Sequence, residues 1–404
     1  MIPFKKFVKE QNLFEAKNAH LSHIDQTVLI DGGDGIKTTI NFLESLIDML
    51  SGGNSGKLKI GLKWDGSPGL TAGIDPVTKK FFVGTKSVFA KKIPKVNFTN
   101  SDVDKFHSGS GDLVGKLKLA LKLLPKIWKG EGVFQGDLMF TNDQKSMESV
   151  DGESLIVFRP NSIAYGVPID SDLGKEIKDA KLGIAFHTRY TGNTLPEMSA
   201  SFDVSKSEFK QHKDVWFDDA NLTDVGGALF SKSETKNLNS LLKKLKSISS
   251  KVKSSITKIK TKSNSIAKEL ERYDNNEIKQ GFVIKDSKKF FSNFVDWLVK
   301  EKKSKLKTFD KTKEKVLRDQ LNSEKKDWEN VIDFMAQTIV IKDQIVIQLN
   351  KVKQLKTFLK TDSGFKVVGQ EGFTAISNGQ IVKLVDRLEF TKNLFTTAKN
   401  WDAS

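Results

Sequence analysis

All eight prolines of this 404-residue chain lie between Pro3 and Pro196, and from Ala228 to Ser363 the only glycine or proline is Gly281. These residues punctuate local structure, so the chain changes character near residue 230. The first part is turn-rich and mixed; the second is long, Lys-rich and almost without breaks. Glycines return at Gly364, Gly369, Gly372 and Gly379. From Leu241 to Lys262 there are eight lysines and no acidic residue, while Leu241, Leu245, Ile248, Val252, Ile256 and Ile259 recur at spacings of three and four. That pattern predicts an amphipathic helix with a basic outer face. Further helices are expected over Lys288–Lys302 and Lys311–Lys360.

The region before residue 230 reads differently. One helix is expected over Ile36–Leu50, stopped by Ser51-Gly52-Gly53, and a second over Asp112–Lys126. Strand-like runs occupy Leu58–Trp64, Gly69–Ile74, Lys80–Thr85, Gly132–Phe140, Leu155–Phe158, Ile163–Val167 and Leu182–His187. The expected fold class is α+β, with antiparallel sheets and helices. The expected division is an N-terminal segment (1–29), a mixed core (30–227), a Lys-rich helical insertion (228–363) and a last core hairpin with a tail (364–404).

Composition narrows the function classes. Hydrophobic residues (38%) suffice for a core, and Lys+Arg 66 against Asp+Glu 50 gives a net charge of +16. A surplus of that size suits a polyanionic partner such as nucleic acid. Cysteine is absent, which excludes disulfide scaffolds, Cys-ligated metals and cysteine nucleophiles. No apolar run reaches the ~18 residues of a membrane span, and Met1–Lys6 lacks a signal-peptide core. The expectation is a cytoplasmic protein without a membrane partner.

The sharpest segment is Lys63-Trp64-Asp65-Gly66-Ser67-Pro68, directly after the strand-like Leu58–Leu62. A lysine amine is a nucleophile once its proton is removed, and glycine lets backbone approach a ligand closely. Three more segments follow in order. Phe81–Ser87 ends in Lys86 and Ser87. Gly132–Phe140 places Asp137 inside an apolar strand, where a carboxylate needs a partner. Glu371-Gly372-Phe373-Thr374-Ala375-Ile376, then Asn378-Gly379, then Val382–Asp386 reads as a hairpin carrying Glu371 and Lys383. Gln280-Gly281-Phe282-Val283-Ile284-Lys285 has a similar shape, but its neutral amide is a poorer Mg²⁺ ligand than a carboxylate.

The order of these segments resembles the covalent nucleotidyltransferases, and most of all the single-strand RNA ligases of tailed bacteriophages. The chain also resembles proteins of large marine phages that carry K-W-D-G and V-K-L-V-D-R segments. The resemblance covers about residues 58–187 and 370–390. It implies an ATP-grasp-like ligase core and an ATP-dependent RNA or DNA ligase working with Mg²⁺ or Mn²⁺ on nucleic acid bearing 5′-phosphate and 3′-hydroxyl ends. Lys63 would form lysyl-AMP, Lys383 would contact the α-phosphate, and Glu371 and Asp137 would hold the metal. Leu62, Trp64, Asp65, Gly66, Lys86, Ser87, Asp137 and Lys383 would surround the nucleotide, with Phe186 stacked on the base. Lys243, Lys251, Lys258 and Lys262 of the basic helix would contact nucleic acid. The chain departs from the family pattern at Asp137, where Glu is commoner, and at Val385, where many relatives have a second lysine. Only 21 residues follow Lys383, so no C-terminal OB barrel is expected, which argues against a capping enzyme. A nucleic-acid- or virion-binding protein with a degenerate core is the alternative. His20, His23 and Asp25 read as surface or helix-end residues in preference to metal ligands, and Trp216-Phe217-Asp218-Asp219 reads as an aromatic-anchored loop in preference to a Mg²⁺ site. No P-loop and no G-x-S-x-G motif occurs.

Overall fold

The computed structural model describes residues 22–53, 58–150, 152–161, 163–202, 204–219, 221–222, 228–306, 308–352, 356–361, 364–367, 372–377 and 380–388. Three sheets and a set of long helices make up a mixed α+β architecture. No sheet closes into a barrel among the described residues.

A short helix α1 (Thr27–Asp31) leads into α2 (Gly33–Leu50), whose Phe42, Leu43, Leu46, Ile47 and Leu50 are buried. The first sheet has the order β11-β1-β14-β15, from β1 (Lys59–Leu62), β11 (Asn221–Leu222), β14 (Phe373–Ser377) and β15 (Gln380–Leu384). β14 and β15 form the expected antiparallel hairpin, with Thr374 opposite Lys383. The Asn378-Gly379 turn itself lies outside the described residues.

The second sheet has the order β10-β8-β4-β2-β3, with β9 (Ser199–Ser201) added to β8. Its strands are β2 (Gly69–Ile74), β3 (Phe81–Gly84), β4 (Val133–Thr141), β8 (Leu182–Thr191) and β10 (Val215–Asp218). β10 joins β8 in parallel, unlike every other strand pair described. Trp216-Phe217-Asp218 is therefore strand and not the expected aromatic-anchored loop; it pairs with a partner about 33 residues away, which local pattern does not reveal. Helices α3 (Asn100–His107) and α4 (Asp112–Leu123) follow β3. Pro125 turns the end of α4 into a short 3₁₀ segment over Leu124–Ile127.

The third sheet has the order β13-β12-β7-β6-β5, from β5 (Lys145–Val150), β6 (Glu153–Phe158), β7 (Ala164–Pro168), β12 (Lys356–Thr361) and β13 (Gly364–Val367). Helix α5 (Asp172–Asp179) separates β7 from β8.

The unpunctuated stretch is helical, as expected, through α6 (Lys232–Lys279), α7 (Ser287–Lys305), α8 (Lys311–Ser323) and α9 (Lys325–Leu349). Ser231 and Glu234 close a capping box at the start of α6. At Ser263 the backbone leaves helical geometry (φ −141°, ψ 34°), and the buried Ser263 hydroxyl bonds Glu324; a side chain tied to another element at a break is a common cause of a kink. The helices stop earlier than expected. α9 ends at Leu349, and β12 begins at Lys356, inside the stretch assigned to helix. β12 pairs with β7, far away in sequence, and such pairing overrides local propensity.

These layers share cores. Ile60, Leu62, Phe373, Ala375, Val382 and Leu384 point from one face of the first sheet into a cluster with Leu43 and Leu46 of α2, Leu245 and Ile256 of α6, and Ile341 and Ile345 of α9. The helical region therefore backs the first sheet, and among the described residues it shares one core with it. On the second sheet, Leu70, Phe134, Leu138, Ile184 and Phe186 pack against Leu117, Ala120 and Leu124.

Candidate active site

Alternation along β1 sends Ile60 and Leu62 into the core, so Lys59, Gly61 and Lys63 share the opposite face. The backbone N–H of Lys63 donates to Gly372 O at 2.9 Å, continuing the β1–β14 ladder. The chain then turns through Trp64–Pro68 and enters β2, with a cis Ser67–Pro68 bond. This turn is held from three sides. Asn161 Nδ2 donates to Asp65 Oδ1 at 2.8 Å, and Ile163 N–H donates to Asp65 Oδ2 at 2.9 Å. The Asp65 N–H donates to the Tyr165 hydroxyl at 2.7 Å. Trp64 lies against Tyr165 and Trp216, and its Nε1–H donates to Asp218 Oδ2 at 3.2 Å. Gly66 lies hard against β4: a Cβ there would come 2.5 Å from Asp137 Cβ, so no larger residue fits without movement.

Beyond the turn a cavity of about 150 Å³ separates the first and second sheets. Gly61, Leu62, Lys63, Trp64, Thr374, Ile376 and Ile381 line one side. Asp137, Ala185, His187, Phe202 and Asp219 line the other. His187 Nε2 stands 3.6 Å from Asp137 Oδ1, and its Nδ1 is 2.7 Å from the Thr188 hydroxyl. Lys206 Nζ is 2.7 Å from Asp218 Oδ1, and its backbone N–H donates to Asp219 Oδ2 at 2.8 Å. Burial alone would lower the Lys206 ammonium, but Asp218 and Asp219 raise it above the usual lysine range. One wall thus carries a lysine and apolar side chains, and the other carries two carboxylates and an imidazole.

Lys63, Asp137, Trp64 and Leu62 line the same cavity. Lys383 stands opposite Thr374, on the face of the hairpin that borders the cavity. Glu371 lies outside the described residues, as does His20. Asp65 is close by, but both its carboxylate oxygens are engaged by Asn161 and Ile163, so it anchors the turn instead of facing the cavity. Phe186 needs a correction. It is fully buried on the far face of β8, stacked on Phe209 at 4.4 Å, while its neighbours Ala185 and His187 face the cavity. Lys86 and Ser87 also differ. They sit on a 3₁₀ turn after β3, with Lys86 exposed and the Ser87 hydroxyl 2.9 Å from Thr85 Oγ1; neither lines the cavity. Lys243, Lys251, Lys258 and Lys262 are exposed on α6, behind the first sheet and across it from the cavity. Lys258 Nζ lies 3.6 Å from Asp327.

Sequence reasoning missed Phe202, Ile376 and Ile381 as lining residues. His187 was legible only through the period of two: once Phe186 points into the core, its neighbours point away. Asp219, next to the Trp216–Asp218 strand, also lines the cavity. Asp137 and Asp219 are hard oxygen donors on one wall, a set that fits Mg²⁺ or Mn²⁺ held by one or two carboxylates plus phosphate and water. Among the described residues no group of three or more His, Asp or Glu side chains forms a complete metal cage.

A second polar cluster lies at the end of the same hairpin. Arg387 Nη1 is 2.9 Å from Asp25 Oδ2 and 2.8 Å from Asp274 Oδ2, and its Nη2 bonds Asn275. Gln26 Nε2 donates to Asp274 Oδ2 at 2.7 Å. Lys342, buried, donates to Val385 O at 2.6 Å. Burial raises Asp274, whereas for Asp25 the cost of burial is outweighed by Arg387 and Lys342, which hold it below the usual carboxylate range. Burial, with help from Arg387, pushes His23 down to about 3. His23 pairs with Lys383 along the edge of β15, and its Nδ1 is buried without a hydrogen-bond partner.

No helix among the described residues is long and apolar enough to cross a membrane. Comparison with curated proteins and with solved structures gave no match. The sequence model of a family of unknown function (DUF6267) matches residues 18–399. That match spans both sheets of the cavity and all the helices behind them, and the chain belongs to this family.

Proposed function

We propose that the chain is an ATP-dependent polynucleotide ligase that joins RNA or DNA strands through a lysyl-AMP intermediate on Lys63. The observation that carries this reading is that Lys63, at the end of β1, and Asp137, on β4, open into one cavity bordered by the β14–β15 hairpin. On this reading the first two sheets are a nucleotidyltransferase core and α6 to α9 are a basic module behind it. Lys63 Nζ gives up a proton to solvent and attacks the α-phosphorus of ATP. An N–P bond forms, the P–O bond to the β-phosphate breaks, and pyrophosphate leaves with the electron pair. An oxygen of a 5′-phosphate then displaces Lys63 from AMP. A 3′-hydroxyl, losing its proton, displaces AMP and closes the phosphodiester. Asp65 and Trp64 keep the nucleophile's turn in place during these exchanges. Asp137 and Asp219 would hold a Mg²⁺ ion, which would supply neutralisation of phosphate charge. The net charge of +16 favours capture of a polyanionic substrate.

The test is transfer of label from α-³²P-ATP to purified protein with Mg²⁺, read on a denaturing gel beside GTP and NAD. Intact mass first establishes that the protein carries no AMP. Label from ATP that Lys63→Ala removes supports the reading. Folded, nucleotide-free protein that takes no label from any donor overturns it. One observation favours a second reading, a nucleic-acid- or virion-binding protein with a degenerate core: Lys243, Lys251 and Lys262 are exposed on α6, across the first sheet from the cavity. Under that reading Lys63→Ala leaves nucleic-acid affinity unchanged.

A further inference from the structure

Strand register sorts the cavity-facing side of the first sheet into rows. Lys59 stands opposite Ile376, which stands opposite Ile381. Gly61 stands opposite Thr374, which stands opposite Lys383. Lys63 lies beside Gly372, to which its N–H is bonded. Three lysines therefore share one face: Lys59 and Lys63 on and just past β1, and Lys383 on β15. Ile376 and Ile381, the cross-strand companions of Lys59, themselves line the cavity. Lys59 is exposed while Ile60 and Leu62 are buried, so its side chain leaves the core and stands on the lysine face. Lys59 and Lys63 are four residues apart along one strand, about 13 Å at ~3.3 Å per residue. Two long, flexible ammonium stems can close on a chain of phosphates across that gap.

The neighbouring position offers no cation. Val385, two residues after Lys383, is buried, and a Cβ on Gly372 would come within 2.7 Å of Val385 Cγ2. The space beside Lys63 in its own row is filled by an apolar contact. Across the cavity, Asp137 and Asp219 present negative charge. Without metal, a polyphosphate entering between the walls is repelled by one and attracted by the other, so it lies along the lysine face.

We infer that Lys59 is a polyphosphate-binding residue: with Lys383 it holds the β- and γ-phosphates of the nucleotide, and then the departing pyrophosphate, while Lys63 takes the α-phosphate. The chemistry assigned to Lys63 rests on the proposed function. The anion site itself rests on register and charge alone, and it is tested without turnover.

The experiment is calorimetric titration of the full chain with inorganic tripolyphosphate, without metal, for the wild type and for Lys59→Ala, Lys59→Arg and Lys80→Ala. Lys80 is an exposed lysine elsewhere on the second sheet's edge and controls for net charge. Lys59→Ala is expected to weaken binding about tenfold or more, the loss of one charge-assisted contact. Lys59→Arg and Lys80→Ala should stay within about threefold of wild type. Equal affinity of Lys59→Ala and wild type, or no binding by the wild type, overturns the inference. The same proteins are then labelled with α-³²P-ATP. If Lys59→Ala loses tripolyphosphate and no protein takes label, the anion site stands and the ligase reading falls. If label forms and Lys59→Ala binds like wild type, the ligase reading stands and Lys59 is excluded.

Discussion

The turn at Lys63 and the cluster at Arg387 lie past the same end of one small sheet, after β1 and after β15, and both are built from carboxylates that hold a neighbouring segment. At the first, Asp65 spends both oxygens on Asn161 and Ile163, and Lys63, two residues earlier, lines a cavity. At the second, Asp25 and Asp274 converge on Arg387 itself, and the cation is consumed in ion pairs closed off from solvent. A buried ion pair contributes little net stability, yet breaking it by removing one partner is costly. On the proposed function, the contrast separates a charge that holds the fold from a charge that reacts. It also shows how the helices behind the sheet reach the site: Asp274 is on α6 and Lys342 is on α9, and both are bonded to the segment that follows Lys383.

The largest effect expected is at the cavity. Lys63→Ala should abolish protein labelling by ATP while the thermal midpoint stays within a few degrees of wild type; a variant that still labels would place the nucleophile elsewhere. Arg387→Met should do the reverse. It leaves Asp25 and Asp274 together without their cation, and denaturant unfolding should report a loss of about 3–5 kcal/mol. Below its midpoint, label per folded molecule should remain within about threefold; a loss matching that of Lys63→Ala would erase the distinction between the two regions.

Asp65→Ala lies between these extremes. It strands the Ile163 N–H and the Asn161 amide, at a cost of about 1–3 kcal/mol, and loosens the turn that presents Lys63. Labelling should slow more than Asp65→Asn slows it, because asparagine keeps an acceptor for the Ile163 N–H. Equal rates for the two variants would show that the turn does not depend on this bond.

His23 gives a smaller, pH-dependent effect. Its folded value is pushed down to about 3 from 6.5, so between those values the unfolded chain binds a proton that the folded chain refuses. Stability should fall as pH drops from 6.5 toward 3. His23→Gln should flatten that part of the profile of midpoint against pH; an unchanged slope would show that His23 is not its source. The smallest effect is at the surface. Lys251→Ala should change stability by less than about 0.5 kcal/mol and, if α6 contacts nucleic acid, reduce the salt slope of binding by about one.

Much of the cavity was legible because its determinants are local. A strand ending in Lys63, a glycine at 66, and an alternating run on either side of Asn378-Gly379 all carry their signal within a few residues. What failed depends on distance or on a one-residue choice. Phe186 and His187 are adjacent, and which of them meets the cavity depends on β8 pairing with β4 through two register shifts, which no local pattern encodes. Asp65 reads as a ligand-facing carboxylate, but its partners lie about 96 and 98 residues later. β12 hides in the Lys-rich stretch because its partner β7 is nearly 200 residues earlier. Arg387 was visible in the V-K-L-V-D-R segment, but its role needs Asp25 and Asp274, which the fold alone brings together.

The most direct measurement is peptide mapping by mass spectrometry after the protein has been incubated with ATP and Mg²⁺ and quenched in base, where a phosphoramidate survives. The account predicts an AMP adduct on the peptide containing Lys63, absent from Lys63→Ala and reversed by added pyrophosphate. An adduct on another residue, or none on folded and initially AMP-free protein, would contradict it.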